Sequence, residues 1–339
     1  MLVPILLLLV GFALLIKGGD WFVDGATGIA RRFYLPEILI GATVVSIGTT
    51  LPEVMVSADA ALMGSGSIAY GNALGSIICN TALIAALTIA IKPGDAPRKS
   101  LILPVIFFFI AAVVYGFSAY VLGDFSRTVG ILLLALFVVY MVTTVLRMKR
   151  TAPDIPPPVT ESALEQASGE DYTVESEAKG TQDKLWKDIL LLIVGAALIA
   201  LGANLLVNNA IVVASALGVS EKVIGLTIVA LGTSLPELVT AITALAKGHG
   251  SLSLGNVIGA NLFNLVLVSG VAVTISPFAL PLSGTIGGIN SSLVLDIPVA
   301  LAVMLLLTVP TLIRQKLSRW QGVVLLGIYG AFLVLQFLL

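Results

Sequence analysis

The sequence predicts an all-α integral membrane protein of ten transmembrane helices, arranged as two inverted five-helix repeats. Three observations carry that prediction. Hydrophobic residues make up 58% of the 339 and charged residues 11%, against about 25% charged in a soluble domain, so charges are too few to cover a water-facing surface. Ten apolar stretches come close to or exceed the roughly 20 residues that a spanning helix needs. The two halves of the chain repeat each other at a constant offset.

The stretches are 2–28, 37–62, 68–91, 101–121, 126–147, 186–216, 222–246, 252–276, 292–312 and 320–338. The first has neither a positive leading segment nor a small-residue cleavage pattern, so it is read as a retained span rather than a removed signal. Only 148–185 is long and polar. Its Pro, Glu and Ser content, with few large apolar residues, predicts a largely disordered linker. It separates the first five-helix repeat, 1–147, from the second, 186–339.

Adding 184 carries Gly41 to Gly225, Glu53 to Glu237, Asn72 to Asn256 and Asn80 to Asn264. Between 41–80 and 225–264, 16 of 40 positions are identical without a gap. The offset also relates Gly11 to Gly195 and Gly18 to Gly202 in the first span of each half. Five spans per copy is an odd number, so the second copy enters the bilayer from the opposite face. That is an inverted repeat, an architecture common in secondary transporters. The duplicated cores are expected at about 38–91 and 222–275.

Charge predicts the orientation. Of the 18 Lys and Arg, 15 fall in the loops after spans 1, 3, 5, 7 and 9. By the positive-inside rule those loops and the linker are cytoplasmic and both termini lie outside. The expected location is a cell inner membrane, crossed many times.

The functional signal lies in two runs, Gly-Thr-Thr-Leu-Pro-Glu ending at Glu53 and Gly-Thr-Ser-Leu-Pro-Glu ending at Glu237. A carboxylate far from the end of a span costs several kcal/mol and marks an ion or substrate pathway by default. A lone buried Glu can also be a protonated structural group, but two at equivalent positions of an inverted repeat converge on one point. Pro52 and Pro236 lack the N–H that would bond the carbonyls of Gly48 and Gly232. Freed carbonyls at membrane depth persist only where protein, water or an ion satisfies them. Each run thus offers main-chain oxygens, hydroxyls and a carboxylate, hard ligands suited to Ca²⁺ or Na⁺. Asn72, Ser76 and Asn80 follow at i, i+4 and i+8, one polar stripe on a helix. Asn256, Ala260 and Asn264 repeat it.

Other features exclude classes. A net charge of −1 and the lack of Walker, Rossmann or zinc-ligand patterns give no support to a nucleic-acid partner, an enzyme or a resident cofactor. The single Cys79 is expected to pack as a small apolar residue. Lys17 and Asp20 are expected to pair on span 1, Asp59 to sit near the cytoplasmic mouth, Asp296 to be an interface residue, and His249 to lie in a short loop.

These doubled motifs resemble the cation/calcium exchanger superfamily, whose repeats carry G-T-S-L-P-E and G-N-x-x-G-S-N-x-x-N/D, and most closely its prokaryotic sodium/calcium exchanger-like branch. The resemblance implies ten helices, with spans 2, 3, 7 and 8 forming an ion core and spans 1 and 6 a tilted pair that slides across it. It implies Ca²⁺ bound by Glu53, Glu237 and the carbonyls of Thr49 and Thr233. Flanking Na⁺ sites would draw on Thr50, Ser76 and Ser234 and the carbonyls of Ser46 and Ala230. Asn80 and Asn264 would form the central polar site, with Asn72 and Asn256 nearby. The expected partners are membrane lipid and small inorganic cations, and the expected working unit is a monomer. The chain departs from the pattern at Thr50, Ile77, Ala260 and Asn264. Ala260 removes a hydroxyl and Asn264 a protonatable carboxylate, which makes Ca²⁺/H⁺ exchange the alternative to Ca²⁺/Na⁺ exchange. A cation channel lined by the same glutamates is a further alternative.

Overall fold

The computed structural model describes residues 2–151, 177–218, 230–282 and 284–338. Apart from two short antiparallel strand pairs, its secondary structure is helical, as a lipid environment requires of a chain that must satisfy its own backbone groups. The helices are α1 (Leu2–Arg32), α2 (Glu37–Leu62), α3 (Gly66–Ile91), α4 (Arg98–Leu122), α5 (Arg127–Thr151), α6 (Glu177–Ala216), α7 (Leu235–Ala246), α8 (Gly250–Ile275), α9 (Ser292–Arg314) and α10 (Arg319–Leu338). Among the described residues nine are long and apolar enough to cross a membrane. The tenth, α7, is shorter and follows a helical turn, Ala230–Thr233. The rest of the predicted span 222–246 falls outside the described residues, and so does most of the predicted linker. The ends of that linker, 148–151 and 177–185, belong to α5 and α6.

Inversion is visible in pairs of contacts that exchange under the 184-residue offset. A Cβ on Gly11 would meet the carbonyl oxygen of Gly202 at 2.8 Å, and one on Gly18 would meet that of Gly195 at 2.9 Å. The offset turns one pair into the other. The loop contacts pair off helix by helix, though not at that exact offset. Asp124–Phe125 (β1) pairs antiparallel with Phe278–Ala279 (β2), joining the loop after α4 to the loop after α8. At the opposite end Asp95 bridges Lys316, joining the loop after α3 to the loop after α9. Thr285–Ile286 (β3) and Ile289–Asn290 (β4) form a hairpin before α9.

Two packing units follow. α1 and α6 lie antiparallel, and glycine lets them approach at seven-residue intervals. A Cβ at Gly11, Gly18 or Gly25 would come within 2.5–2.8 Å of the α6 backbone, so nothing larger fits. The second unit is a core of α3, α4, α5, α8 and α9 built on Ile77, Phe108, Leu133, Phe263 and Val303. Within it Tyr140 is fully buried and donates its hydroxyl to the carbonyl of Ala42 at 2.9 Å.

Two surface expectations change. Asp20 does not pair with Lys17. Lys247, from the loop after α7, reaches Asp24 at 2.8 Å and Asp20 at 3.4 Å, while Lys17 lies over the Trp21 ring. A partner from another helix wins because it brings one amine to both carboxylates. Asp59 is exposed one turn before the end of α2, at the opposite end from Glu37 and the Arg31–Arg32 loop, so it is not near a cytoplasmic mouth if that loop is cytoplasmic.

Because the α1–α6 contact has no room for a side chain, Gly18→Val should overpack it by about 1–3 kcal/mol. Differential scanning fluorimetry in detergent should show an unfolding midpoint lower than that of the parent.

Candidate functional site

The site grows from two helices whose regular bonding is interrupted. In α2, Pro52 lies inside the helical segment Ser46–Leu62, and the preceding turn, Gly41–Val45, is π-helical. In the second half the interruption is complete. Ser234 leaves helical geometry at φ −93°, ψ 8°, and Pro236 sits in the first turn of the new helix α7, where its missing N–H costs nothing. The same motif therefore lies within a continuous α-helix in one repeat and spans a break at Ser234 in the other. Glu53 and Glu237 each lie nine residues before the end of their helix. At 1.5 Å per residue that is about 14 Å, close to the middle of a hydrocarbon core about 30 Å thick. They reach it from opposite ends.

The two glutamates come together. Both are fully buried, and Glu237 lies near enough for its charge to act on Glu53. None of their four carboxylate oxygens has a hydrogen-bond partner. Around them, the Thr50, Ser76 and Ser234 hydroxyls and the side-chain amides of Asn80 and Asn264 are likewise buried without partners. Buried polar atoms are normally satisfied, so a cluster of orphaned oxygens around two carboxylates is itself a finding. No group of three or more His, Cys, Asp or Glu exists among the described residues. The donors are two carboxylates and neutral oxygens, a set for a hard cation.

Neighbouring helices position this cluster. α3 and α8 both turn π-helical at their second asparagine, over Asn80–Ala85 and Asn264–Val268. Such bulges redirect side chains and are frequent at functional sites. Asn72 is half-buried and donates to the Glu53 carbonyl at 3.1 Å and to Ser57 Oγ at 2.8 Å. Asn256 plays a different part. Its Oδ1 accepts from Thr49 Oγ1 at 3.2 Å, and its carbonyl lies 3.0 Å from Ser46 Oγ. Close approach of α2 to α8 requires glycine, since a Cβ on Gly255 would fall 2.2 Å from the Ile38 carbonyl oxygen.

Of the sequence-predicted residues, Ser46, Thr49, Thr50, Glu53, Ser76, Asn80, Ser234, Glu237, Asn256 and Asn264 are all buried. Thr233 is half-buried and lines two cavities. Ala230 begins its helical turn. Sequence reasoning missed Ser57 and Thr240, buried at i+4 from Glu53 and i+3 from Glu237, spacings that put them on the carboxylate faces. It also missed Asn261, which donates to Thr81 Oγ1 at 2.6 Å and leaves its own Oδ1 unpartnered. Asp296 lies in the first turn of α9, at the depth expected of an interface residue, but its side chain is buried and lines a cavity beside the site.

Two cavities reach the cluster. One, of about 530 Å³, lies between α2 and α6 and is lined by Gly48, Pro52, Asn204, Asn208, Thr233 and Pro236. The other, of about 400 Å³, lies between α3, α9 and α10 and has Asn72, Ser76 and Thr233 at its inner end. Both extend toward the end of the molecule marked by Leu62 and Gly66. Toward the other end α1 is packed against α7, with a Cβ on Gly19 falling 2.7 Å from Thr243 Oγ1, and Lys247 clasps Asp20 and Asp24.

An inverted-repeat helical membrane protein with paired carboxylates among orphaned oxygens at mid-membrane is built to bind cations within the bilayer. The chain belongs to the sodium/calcium exchanger protein family, whose model matches residues 3–146 and 187–338. It is 32% identical to the sodium/calcium exchanger MaX1 of Methanosarcina acetivorans over 99% of each chain. It is 35% identical to the putative antiporter CaxA of Alkalimonas amylolytica, covering 100% of this chain and 99% of that one. Among solved structures, one of the sodium-calcium exchanger NCX_Mj superposes with a TM-score of 0.75 at 32% identity, covering 97% of both chains.

Asn72 ties α3 to the Glu53 carbonyl. Asn72→Ala should remove both bonds at a cost of about 1–3 kcal/mol, measured as a lower unfolding midpoint in the same detergent.

Proposed function

We propose that this chain is a secondary-active antiporter that exchanges Ca²⁺ for Na⁺ by alternating access, with its ions bound between the repeats at the membrane midplane. One observation carries the reading: two buried carboxylates, whose oxygens have no protein partner, stand among unpartnered neutral oxygens. Two negative charges match one Ca²⁺ or two Na⁺. Left empty, they hold uncompensated charge in a low dielectric, at several kcal/mol per ion, so the unloaded carrier is held back from changing face. That is the physical basis of obligatory exchange.

In this reading Glu53 and Glu237 hold Ca²⁺ with the Thr49 and Thr233 carbonyls. Thr50, Ser76 and Ser234, with the Ser46 and Ala230 carbonyls, supply Na⁺ sites that share the same carboxylates. Sharing makes the two ions competitors. Asn80 and Asn264 give the centre neutral polar ligands, and Asn72 and Asn256 brace it. The two cavities that reach the site extend toward the Leu62 end. At the Lys247 end α1 packs against α7, and a separate cavity of about 330 Å³ lies between Thr88, Lys92, Leu245 and Ser253 without reaching the glutamates. That asymmetry fits one of the two states that alternating access needs. By the positive-inside rule the Leu62 end is the outer face, both termini are outside, and 148–185 is a cytoplasmic linker between the repeats. The working unit in this reading is a monomer in a cell membrane.

Proton coupling is the weaker reading despite Ala260 and Asn264. Sodium/calcium exchangers are named among the relatives that align end to end, and the Thr50, Ser76 and Ser234 hydroxyls remain in place.

The test is ⁴⁵Ca²⁺ uptake into proteoliposomes under an outward Na⁺ gradient or an outward H⁺ gradient. Uptake is expected with Na⁺ alone, and Glu53→Gln or Glu237→Gln should reduce it at least about 100-fold, the loss of a charge-assisted ligand worth about 3 kcal/mol. Uptake with H⁺ alone would replace sodium by proton coupling. Full activity in both glutamine variants would sink the site assignment. Currents at channel-like rates without counter-transport would replace the carrier by a pore.

A further inference from the structure

The cavity of about 400 Å³ between α3, α9 and α10 contains a carboxylate that the midplane site does not use. Asp296 ends the π-helical first turn of α9 and is only 9% exposed. Gln336, near the end of α10, donates from Nε2 to Asp296 Oδ1 at 2.7 Å. Among the described residues no basic side chain pairs with it. Two further oxygens lining the cavity point to a polar occupant. Tyr70 hydroxyl and Ser76 Oγ belong to side chains at 4% and 3% exposure, and neither has a hydrogen-bond partner.

The order of these groups gives a path. Ser67, Asp296 and Gln336 lie within a turn or so of helix ends on the same face of the membrane. Ser76 is ten residues into α3, about 15 Å deep at 1.5 Å per residue. Thr233 shares the inner end of the cavity. A negative group at the mouth and cation ligands at the floor, with low-dielectric walls such as Leu74, Phe332 and Leu333 between them, concentrate cations along the channel axis. The Gln336 bond by itself does not require a carboxylate, since an asparagine oxygen at 296 could also accept it.

We infer that Asp296, steadied by Gln336, is a peripheral cation station at the mouth of this cavity, where Na⁺ or Ca²⁺ is recruited before it passes to Ser76 and Thr233. The inference rests on the exchanger reading above and adds an attracting residue outside the midplane site. It acts on one face only. It also favours the divalent ion, because the attraction scales with the charge of the cation.

Right-side-out and inside-out membrane vesicles loaded with Na⁺ separate the faces, each reporting the external Ca²⁺ dependence of ⁴⁵Ca²⁺ uptake. Asp296→Asn should raise the Ca²⁺ half-saturation in one vesicle orientation only, by about three- to tenfold, the effect of a unit charge on the order of 10 Å away after salt screening. The maximal rate should be unchanged, Asp296→Glu should restore the parent value, and high choline chloride should shrink the difference. An unchanged half-saturation in Asp296→Asn would overturn the inference. So would an equal rise on both faces, or a fall in maximal rate shared by the Asn and Glu variants, which would make Asp296 a structural group. If the parent protein itself shows no Na⁺-dependent uptake, the exchanger reading fails first, independently of residue 296.

Discussion

Two carboxylates placed in the middle of a bilayer constrain everything else in this molecule. Glu53 and Glu237 are fully buried and their oxygens have no protein partner. A single uncompensated charge there costs several kcal/mol, a large fraction of the stability of a typical protein. The fold answers by surrounding them with oxygens. Helices that would otherwise be closed hydrogen-bonded rods are interrupted by Pro52, Pro236 and π-helical turns at Asn80 and Asn264. Glycines at 41, 255 and 259 bring α2 and α8 into backbone contact, so that residues from both repeats share one point. The apolar bulk of α4, α5 and α9 packs around this arrangement.

The repeats are copies in sequence but not in detail, and the differences have a direction. Lys247 reaches Asp20 and Asp24 at one end of the molecule. The offset carries Asp20 to Asn204 and Asp24 to Asn208, and brings Lys247 back to Met63. No charge is left at the other end to make the equivalent clasp, and Asn204 and Asn208 line a cavity instead. A partly exposed ion pair is worth at most about 1 kcal/mol. Two arrangements related by near-symmetry differ by little, so even a contribution of that size makes the two ends unequal. The one-sided Asp296 belongs to the same pattern: subtracting 184 gives Ala112, which has no charge.

Much of the candidate site is legible in the sequence. Glu53 and Glu237 announced themselves because charge is rare in this composition, and the constant offset showed that they form a pair. Ser76, Asn80 and Asn264 followed from helical spacing. The less legible residues fail for identifiable reasons. Ser57 and Thr240 are common small polar residues whose hydroxyls could have bonded their own helix. Asn261 is prominent only once Thr81 and Met304 are seen against it. Asp296 is five residues into a span, where a carboxylate ordinarily reaches water, and only the packing of α10 through Gln336 encloses it.

What the sequence by itself determined is the membrane class, the placement of the spans, the duplication and the carboxylate pair. Each of these is a local property of composition or a repetition along the chain, and neither needs a distant contact to be read. Only the tertiary structure decided that the motif is continuous helix in one repeat and broken in the other, that the cavities reaching the site extend toward the Leu62 end, and that Asp296 faces a cavity. Those features depend on which helices approach each other and how closely. That approach is set by glycine contacts and side-chain packing between segments far apart in the chain, and identical motifs in the two repeats meet different neighbours.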